Sequence, residues 1–530
     1  MRFYRFLKKF RVIFAAAAIA LISFIFLDIY NFIASVTAKY IAVTQFIPSL
    51  LSFIHTPAPV YLLFVFIILI TFFAGRSYCS FLCPLGIYQD IVARGSSGLN
   101  RKKKYGYSKE NRFLRYVILC LTLISFPVTG SLLILWLDPF SLYGKFSAVI
   151  INPALLWINN IIASVLLKFN IYSVHSIDIK YSDLIVIIIT ALIIFFISLS
   201  AFLKGRLYCN SICPVGTLLG LIAKVSFYRI NISKDGCTHC GRCEALCKSS
   251  CIKHKENYVD FSRCVSCFNC ISACHNSSIK FKKQYFAGKN SHPLEGCPKG
   301  GVVGKIERKT FLAGLLFFPT VLFGQKPDKK QELYIQDISK QKQYKKKVFI
   351  SPPGSGSTDE FNKKCTACYL CVTRCPSSVL QPAVLQYGLT GIMQPFLDFD
   401  TGYCNYDCTV CGEVCPTGAI KKLNKHEKHL IKLGKSYFIK ENCIIHTNGT
   451  DCGACSEHCP TKAVDMAPYK NGLVIPEINQ AICIGCGACE NMCPVRPMRA
   501  IYVEGNSVHE KAELPKEEGN IIIKKDDFPF

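Results

Sequence analysis

The chain has 530 residues, 51% of them hydrophobic, with 31 cysteines and a formal charge of +27 from 62 basic and 35 acidic side chains. The length excludes a single small domain. Apolar runs and cysteine runs fall in different stretches, which excludes a disulfide-stapled secreted module and calls for a membrane part joined to metal-binding parts. The positive charge flanks the apolar runs and no nucleic-acid motif accompanies it, so a nucleic-acid partner is excluded as its cause.

Met1 to Arg11 is basic, and the apolar run over 12–29 reads as a first transmembrane helix with its N-terminus inside. It is too long for a signal h-region and no good cleavage site follows. Further spans are expected at 59–74, 116–137 and 184–202. The loop carrying Arg94, Arg101, Lys102, Lys103, Lys104, Lys109, Arg112 and Arg115 is expected on the cytoplasmic side. Residues 138–183 carry few basic groups and are expected outside, with 146–167 an interfacial or re-entrant helix. Asp28, His55 and Asp138 stand near the expected outer ends of spans, as proton acceptors or as ordinary interface residues.

The second and fourth spans end alike. Gly75-Arg76-Ser77-Tyr78-Cys79 to Cys83-Pro84-Leu85-Gly86 and Gly205-Arg206-Leu207-Tyr208-Cys209 to Cys213-Pro214-Val215-Gly216 share the pattern G-R-x-Y-C-x3-C-P-x-G. A match at corresponding places in two helix pairs is an internal repeat. Cysteines four apart lie on one helical face, so Cys79, Cys83, Cys209 and Cys213 are expected to converge at the cytoplasmic boundary. Reversible disulfides, an iron–sulfur centre, a brace for the adjoining domain, or two turns stopped by proline all fit the four residues.

Cys237, Cys240, Cys243 and Cys247, then Cys264, Cys267, Cys270 and Cys274, follow with the spacing C-x2-C-x2-C-x3-C. That run holds [4Fe-4S] cubes, three thiolates on one cube and the fourth on its neighbour. Cys237, Cys240, Cys243 and Cys274 are assigned to one cube, and Cys264, Cys267, Cys270 and Cys247 to the other. Lys248 and His275 replace the usual following proline. C-x2-C-H is nowhere present, so no covalent c-type haem is expected.

Arg308-Lys309-Thr310-Phe311-Leu312 heads a fifteen-residue apolar segment, Thr310 to Gly324, and reads as a twin-arginine-like leader or a fifth crossing. A lysine-rich linker containing Ser351-Pro-Pro-Gly-Ser-Gly-Ser357 is expected to be flexible and exposed. Four more groups follow: Cys365, Cys368, Cys371, Cys375; Cys404, Cys408, Cys411, Cys415; Cys443, Cys452, Cys455, Cys459; and Cys483, Cys486, Cys489, Cys493. A proline follows the last cysteine of each. Disulfide frameworks do not repeat this spacing, and zinc sites seldom share ligands between adjacent runs. Spacing permits group one to exchange its fourth ligand with group two or with group four. Cys120, Cys251 and Cys297 are left over.

The expected architecture is a four-span α-helical membrane bundle over 1–230, a two-cluster domain over 231–300, the crossing at 301–325, the linker at 326–360 and a four-cluster domain over 361–530. Both cysteine domains are expected to be α+β and ferredoxin-like. The four spans, doubled C-x3-C-P and first two clusters resemble NapH, and the leader with four clusters resembles NapG. The whole is similar to a NapH–NapG fusion within the C-x3-C-P membrane ferredoxins that include NosR and CcoG.

The resemblance implies a quinol dehydrogenase or electron-transfer subunit of the bacterial inner membrane, without its own terminal catalytic site. It implies quinol as donor, a periplasmic reductase or cytochrome c as acceptor, six [4Fe-4S] clusters, a cytoplasmic first cysteine domain and a periplasmic last one. It also implies nested pairing in the last domain: Cys365, Cys368, Cys371 with Cys493; Cys483, Cys486, Cys489 with Cys375; Cys404, Cys408, Cys411 with Cys459; Cys443, Cys452, Cys455 with Cys415. A redox-dependent maturation or regulatory protein, and a cytoplasmic polyferredoxin serving a hydrogenase or dehydrogenase, are the competing readings.

Overall fold

The computed structural model describes residues 2–56, 58, 62–99, 105–233, 236–283 and 344–514. The leader-like segment 301–325, most of the linker, the basic cluster Arg101–Lys104 and Cys297 lie outside the described residues.

The first part is helical: α1 (Arg2–Leu27), α2 (Ser35–Val43), α3 (Phe46–His55), α4 (Leu63–Ala74), α5 (Tyr78–Phe81), α6 (Pro84–Leu99), α7 (Arg112–Thr129), α8 (Leu132–Leu137), α9 (Pro139–Phe146), α10 (Asn152–Lys168), α11 (Leu184–Lys204), α12 (Leu207–Ser211) and α13 (Pro214–Ala223). Phe6–Leu27, Arg112–Thr129, Pro139–Lys168 and Leu184–Lys204 are long and apolar enough to cross a membrane. Three of them overlap expected spans. The expected span at 59–74 differs, because α4 rises only about 18 Å against a hydrocarbon core of about 30 Å. Gly75, at φ +73, stops it.

The segment 146–167, expected as interfacial or re-entrant, lies within one thirty-residue helix, Pro139–Lys168. Pro153 has no N–H to donate back, and a wide π turn over Ser147–Ile151 absorbs the irregularity.

The first cysteine domain pairs β1 (Tyr228–Ile232) with β4 (Ile279–Lys283) and β2 (Ile252–Lys253) with β3 (Tyr258–Val259). The last pairs β5 (Leu380–Pro382) with β6 (Pro395–Leu397), β7 (Ile431–Phe438) with β10 (Ile501–Lys511), and β8 (Val464–Pro468) with β9 (Val474–Ile478). All five pairs are antiparallel. Two-stranded ribbons bury little by themselves. The core of the last domain is completed by its own thiols and by Ile22, Ile25 and Phe26 of α1.

Helix α1 measures the distance between the two domains. Near its N-terminus, Lys8 Nζ donates to Ser272 Oγ at 3.1 Å. Near its C-terminus, Asp28 accepts from Arg374 Nη1 at 2.9 Å. Those positions are about 30 Å apart at 1.5 Å per residue, close to the hydrocarbon thickness. The two cysteine domains therefore dock at opposite ends of one helix.

Ser351 to Ser355, expected to be exposed linker, are buried instead. The last domain claims the backbone here: Lys421 N donates to Gly354 O (2.9 Å), and Leu397 N to O of the preceding Ile350 (3.0 Å). Beside them His509 Nε2 lies 3.1 Å from Ser351 Oγ, and burial lowers the imidazole pKa to about 4. The unfolded chain then binds more protons than the native one between pH about 6.5 and 4, so stability is lost as pH falls through that window. At pH 5 the midpoint of denaturant unfolding should fall by the equivalent of ~2 kcal/mol relative to pH 7. His509→Gln should remove that part of the fall when both proteins are compared at each pH.

Candidate metal centres

The C-x2-C-x2-C loops share one backbone device. In four of them the residues on either side of the second cysteine are left-handed: His239 and Gly241, Ser266 and Phe268, Ala367 and Tyr369, Gly485 and Gly487. Each such turn aims successive N–H groups inward, making a concavity suited to an anionic cluster. Ala367 N donates to Cys365 Sγ at 3.4 Å. Cys368, Cys267, Cys240 and Cys486 each accept from the N–H two residues on, from Leu370, Asn269, Arg242 and Ala488. The two variant loops lack the device: Thr409 and Gly453, after Cys408 and Cys452, have φ of −117 and −118.

In the first domain, Cys237, Cys240, Cys243 and Cys274 line one cavity of about 320 Å³. Cys270 neighbours Cys267, Cys264 and Cys247. Both expected sets are brought together, and the donors fit a thiolate-held cube.

The last domain corrects the nested expectation. Cys415 acts on Cys365, Cys368 and Cys371. Cys375 acts on Cys404 and Cys411. Cys443, Cys452, Cys455 and Cys493 line one pocket, and Cys459 acts on Cys483, Cys486 and Cys489. The fourth cysteines of groups one and two thus lie beside each other's thiols, as do those of groups three and four, and would serve the adjacent group's cluster. Sequence neighbours pack side by side here, so each fourth cysteine reaches the adjacent group. Burial raises the Cys368 and Cys486 thiols to about 12. A bound cluster would hold them as thiolates.

The repeat forms a separate site. Cys79, Cys83, Cys209 and Cys213 are all buried and share one core cluster. Cys83 feels Cys209, Cys79 and Cys213. Every residue of the shared pattern has a matching task in both copies. Arg76 Nη2 donates across to Cys209 O (3.0 Å), and Arg206 Nη1 donates across to Cys79 O (2.7 Å). Tyr78 donates to Gln45 Oε1 at the α2–α3 turn (3.0 Å), and Tyr208 to Leu137 O at the α8–α9 turn (2.8 Å). Pro84 and Pro214 open α6 and α13, where a missing N–H costs nothing. A Cβ on Gly86 or Gly216 would overlap the carbonyl oxygen of Cys79 or Cys209. Gly205 (φ +74) stops α11 as Gly75 stops α4.

Asp28, His55 and Asp138 are all engaged. Asp28 accepts from Arg374 and from the N–H groups of Phe32 (2.9 Å) and Ile33 (2.8 Å). His55 Nδ1 lies 2.7 Å from Thr417 O in the last domain. Asp138, 2% exposed, caps α9 by accepting from Ser141 N and Oγ, both at 2.8 Å. The first two fasten the last domain, and the third shapes a turn inside the bundle.

Cys120 is exposed on α7. Cys251, read as a spare, sits 3.5 Å from Cys247 with Cys264 also beside it. Its position gave the signal, because it stands four residues after Cys247, where Ala419 follows Cys415 and Ala463 follows Cys459.

The 4Fe-4S binding domain family matches residues 56–105 and 184–234, the segments that carry the repeat, and the 4Fe-4S dicluster domain family matches 450–496. The chain is 28% identical over 176 residues to the methylamine utilization ferredoxin-type protein MauN of Paracoccus denitrificans, covering 33% of this chain and 48% of MauN. It is 27% identical over 157 residues to the ferredoxin-type protein NapF of Escherichia coli K12, covering 30% of this chain and 87% of NapF. With NapH of the same organism the identity is 25% over 197 residues, 36% of this chain and 55% of NapH. The chain thus spans about half the length of the MauN proteins it matches. No solved structure matches. Parts of the chain are thus similar to ferredoxin-type proteins and to 4Fe-4S binding families.

Proposed function

We propose that this protein oxidises membrane quinol and passes the electrons outward to a periplasmic reductase or cytochrome c. Quinol loses two electrons and two protons to become quinone. Bound [4Fe-4S] clusters would supply one-electron carriers. The chain's own part is to hold the carriers and set their positions. The observation behind this reading is the docking of the two cysteine domains at opposite ends of α1, about 30 Å apart. Further support comes from apolar side chains on the outward faces of α7 and α11, such as Leu123, Ile124, Phe195 and Phe196, which suit contact with lipid. In this reading the first cysteine domain is cytoplasmic, and Thr310 to Gly324 carries the chain across to a periplasmic last domain.

Two measurements test the proposal. A protease site inserted after Gly472, in the exposed turn between β8 and β9, should be cut from outside in intact spheroplasts. Protection there until lysis would place the last domain in the cytoplasm and favour the polyferredoxin reading. Reduced quinol added to the purified full chain should bleach the cluster absorption. Failure to bleach it would overturn the quinol assignment and favour a maturation or regulatory role.

A further inference from the structure

We infer that Cys79, Cys83, Cys209 and Cys213 hold an iron–sulfur centre inside the helix bundle, between the two cysteine domains. The path rests on the electron-transfer reading above; the site does not.

The four thiols come from both halves of the repeat and share one packed core. Their surroundings are built for an anionic occupant. Arg76 is 0% exposed, and no carboxylate lies within ion-pair distance of it among the described residues. Its partners are the Asn210 carboxamide (3.0 Å), the Ser262 carbonyl (3.1 Å) and the Cys209 carbonyl, and Nη2 lies 3.9 Å from Cys79 Sγ. A buried guanidinium without a counter-charge is costly. Four thiolates around irons are net negative and would provide one. Arg206, by contrast, is paired with Asp90 at 2.8 Å.

A second observation points the same way. Gln89 is 0% exposed, and its carboxamide nitrogen and oxygen both lack an ordinary partner among the described residues. The group faces Cys209. Gly216 N donates to Cys213 Sγ at 3.3 Å, and Gly86 N does the same for Cys83. Both sulfurs thus cap the helix that follows, each accepting from the N–H three residues on.

A single metal ion fits less well. Among the described residues no three Cys, His, Asp or Glu side chains converge tightly enough to hold one ion. The ferredoxin groups share that property, and spacing of that kind leaves room for a cluster between the sulfurs.

The position is intermediate. Val265 and Cys267 of the first domain pack into the same core as the four thiols. So do Ile134 of α8 and Leu142 of α9. That hairpin holds the last domain, with Ser131 Oγ donating to Cys365 O at 2.6 Å and Gly144 touching Cys368 O. Along α1 the site lies at Phe14, whose ring is 5.9 Å from Phe81. Held there, such a centre supplies a ferric/ferrous couple, one electron in for each electron out, with no bond made or broken.

The test is iron and Mössbauer analysis of the anaerobically purified full chain. Six ferredoxin cubes account for about 24 irons; a [2Fe-2S] centre in the bundle raises the count to about 26 and a [4Fe-4S] centre to about 28. A wild-type chain with six intact cubes and no further iron overturns the inference. Cys83→Ala with Cys213→Ala should lose only the added component, while Cys240→Ala should leave it in place. Because the wild-type count stands alone, a misfolded variant does not shield the proposal.

Discussion

Replacing Cys368 and Cys415 together by alanine will remove about four irons from the [4Fe-4S] component of the Mössbauer spectrum, and replacing Cys368 with Cys493 will remove about eight. In the first pair both cysteines belong to one set, because Cys415 is the neighbour of Cys365, Cys368 and Cys371. In the second pair each variant strikes a different set, because Cys493 shares its pocket with Cys443, Cys452 and Cys455. The nested pairing expects the reverse, eight for the first pair and four for the second. Each cube is counted only while it keeps four irons, so conversion to a three-iron form registers as loss. Equal losses in the two double variants would overturn the grouping seen in the structure.

Asp28→Ala should release the last domain from the helix bundle. The Asp28 carboxylate is 0% exposed and the Arg374 side chain 2%, at a separation of 2.9 Å. Removing one partner leaves a buried guanidinium whose other bonds, to Asn31 Oδ1 (3.0 Å) and Ile33 O (3.2 Å), are neutral. Breaking such a pair costs ~3–5 kcal/mol, a factor of at least ~10² in the docking equilibrium. The measurement is hydrogen exchange of α2 and of residues 370–374, which should lose protection while the β7–β10 pair keeps it. Asp28→Asn with Arg374→Gln should recover most of the protection, because neither charge is then stranded. Unchanged exchange in Asp28→Ala would show that the apolar contacts of Phe26 and Phe140, with His55, hold the domain without the ion pair.

The two results bear on different layers of the molecule. The cysteine grouping is set by how adjacent loops pack within the last domain. Docking is set by the loop after α1 and the hairpins α2–α3 and α8–α9. Gln45 and Leu137 in those hairpins also receive the tyrosines of the repeat. The same short helices therefore touch both the four-thiol site and the last domain, which gives them a positioning role that their modest length conceals.

Local order along the chain determined a great deal. C-x2-C-x2-C fixes which three thiols face one centre, because the turn closes within seven residues and depends only on left-handed backbone beside the second cysteine. The doubled G-R-x-Y-C-x3-C-P-x-G announced a repeat, since neither helix propensity nor apolar burial demands those residue types in that order. Apolar runs at 12–29 and 184–202 marked α1 and α11 because length and composition suffice for such helices. Three things were decided only by tertiary structure. The fourth ligand of each set arrives from a separate segment, and similar spacing in all four groups leaves no local preference between partners. Arg76 and Arg206 reach the opposite repeat only when the two halves meet, so their crossed bonds cannot be read from either half alone. Asp28 and His55 read as proton acceptors or ordinary interface residues, and neither reading named their partners, Arg374 and Thr417, which lie more than three hundred residues away in sequence. A contact of that separation has no signature in local spacing. It exists because the last domain settles on the end of α1.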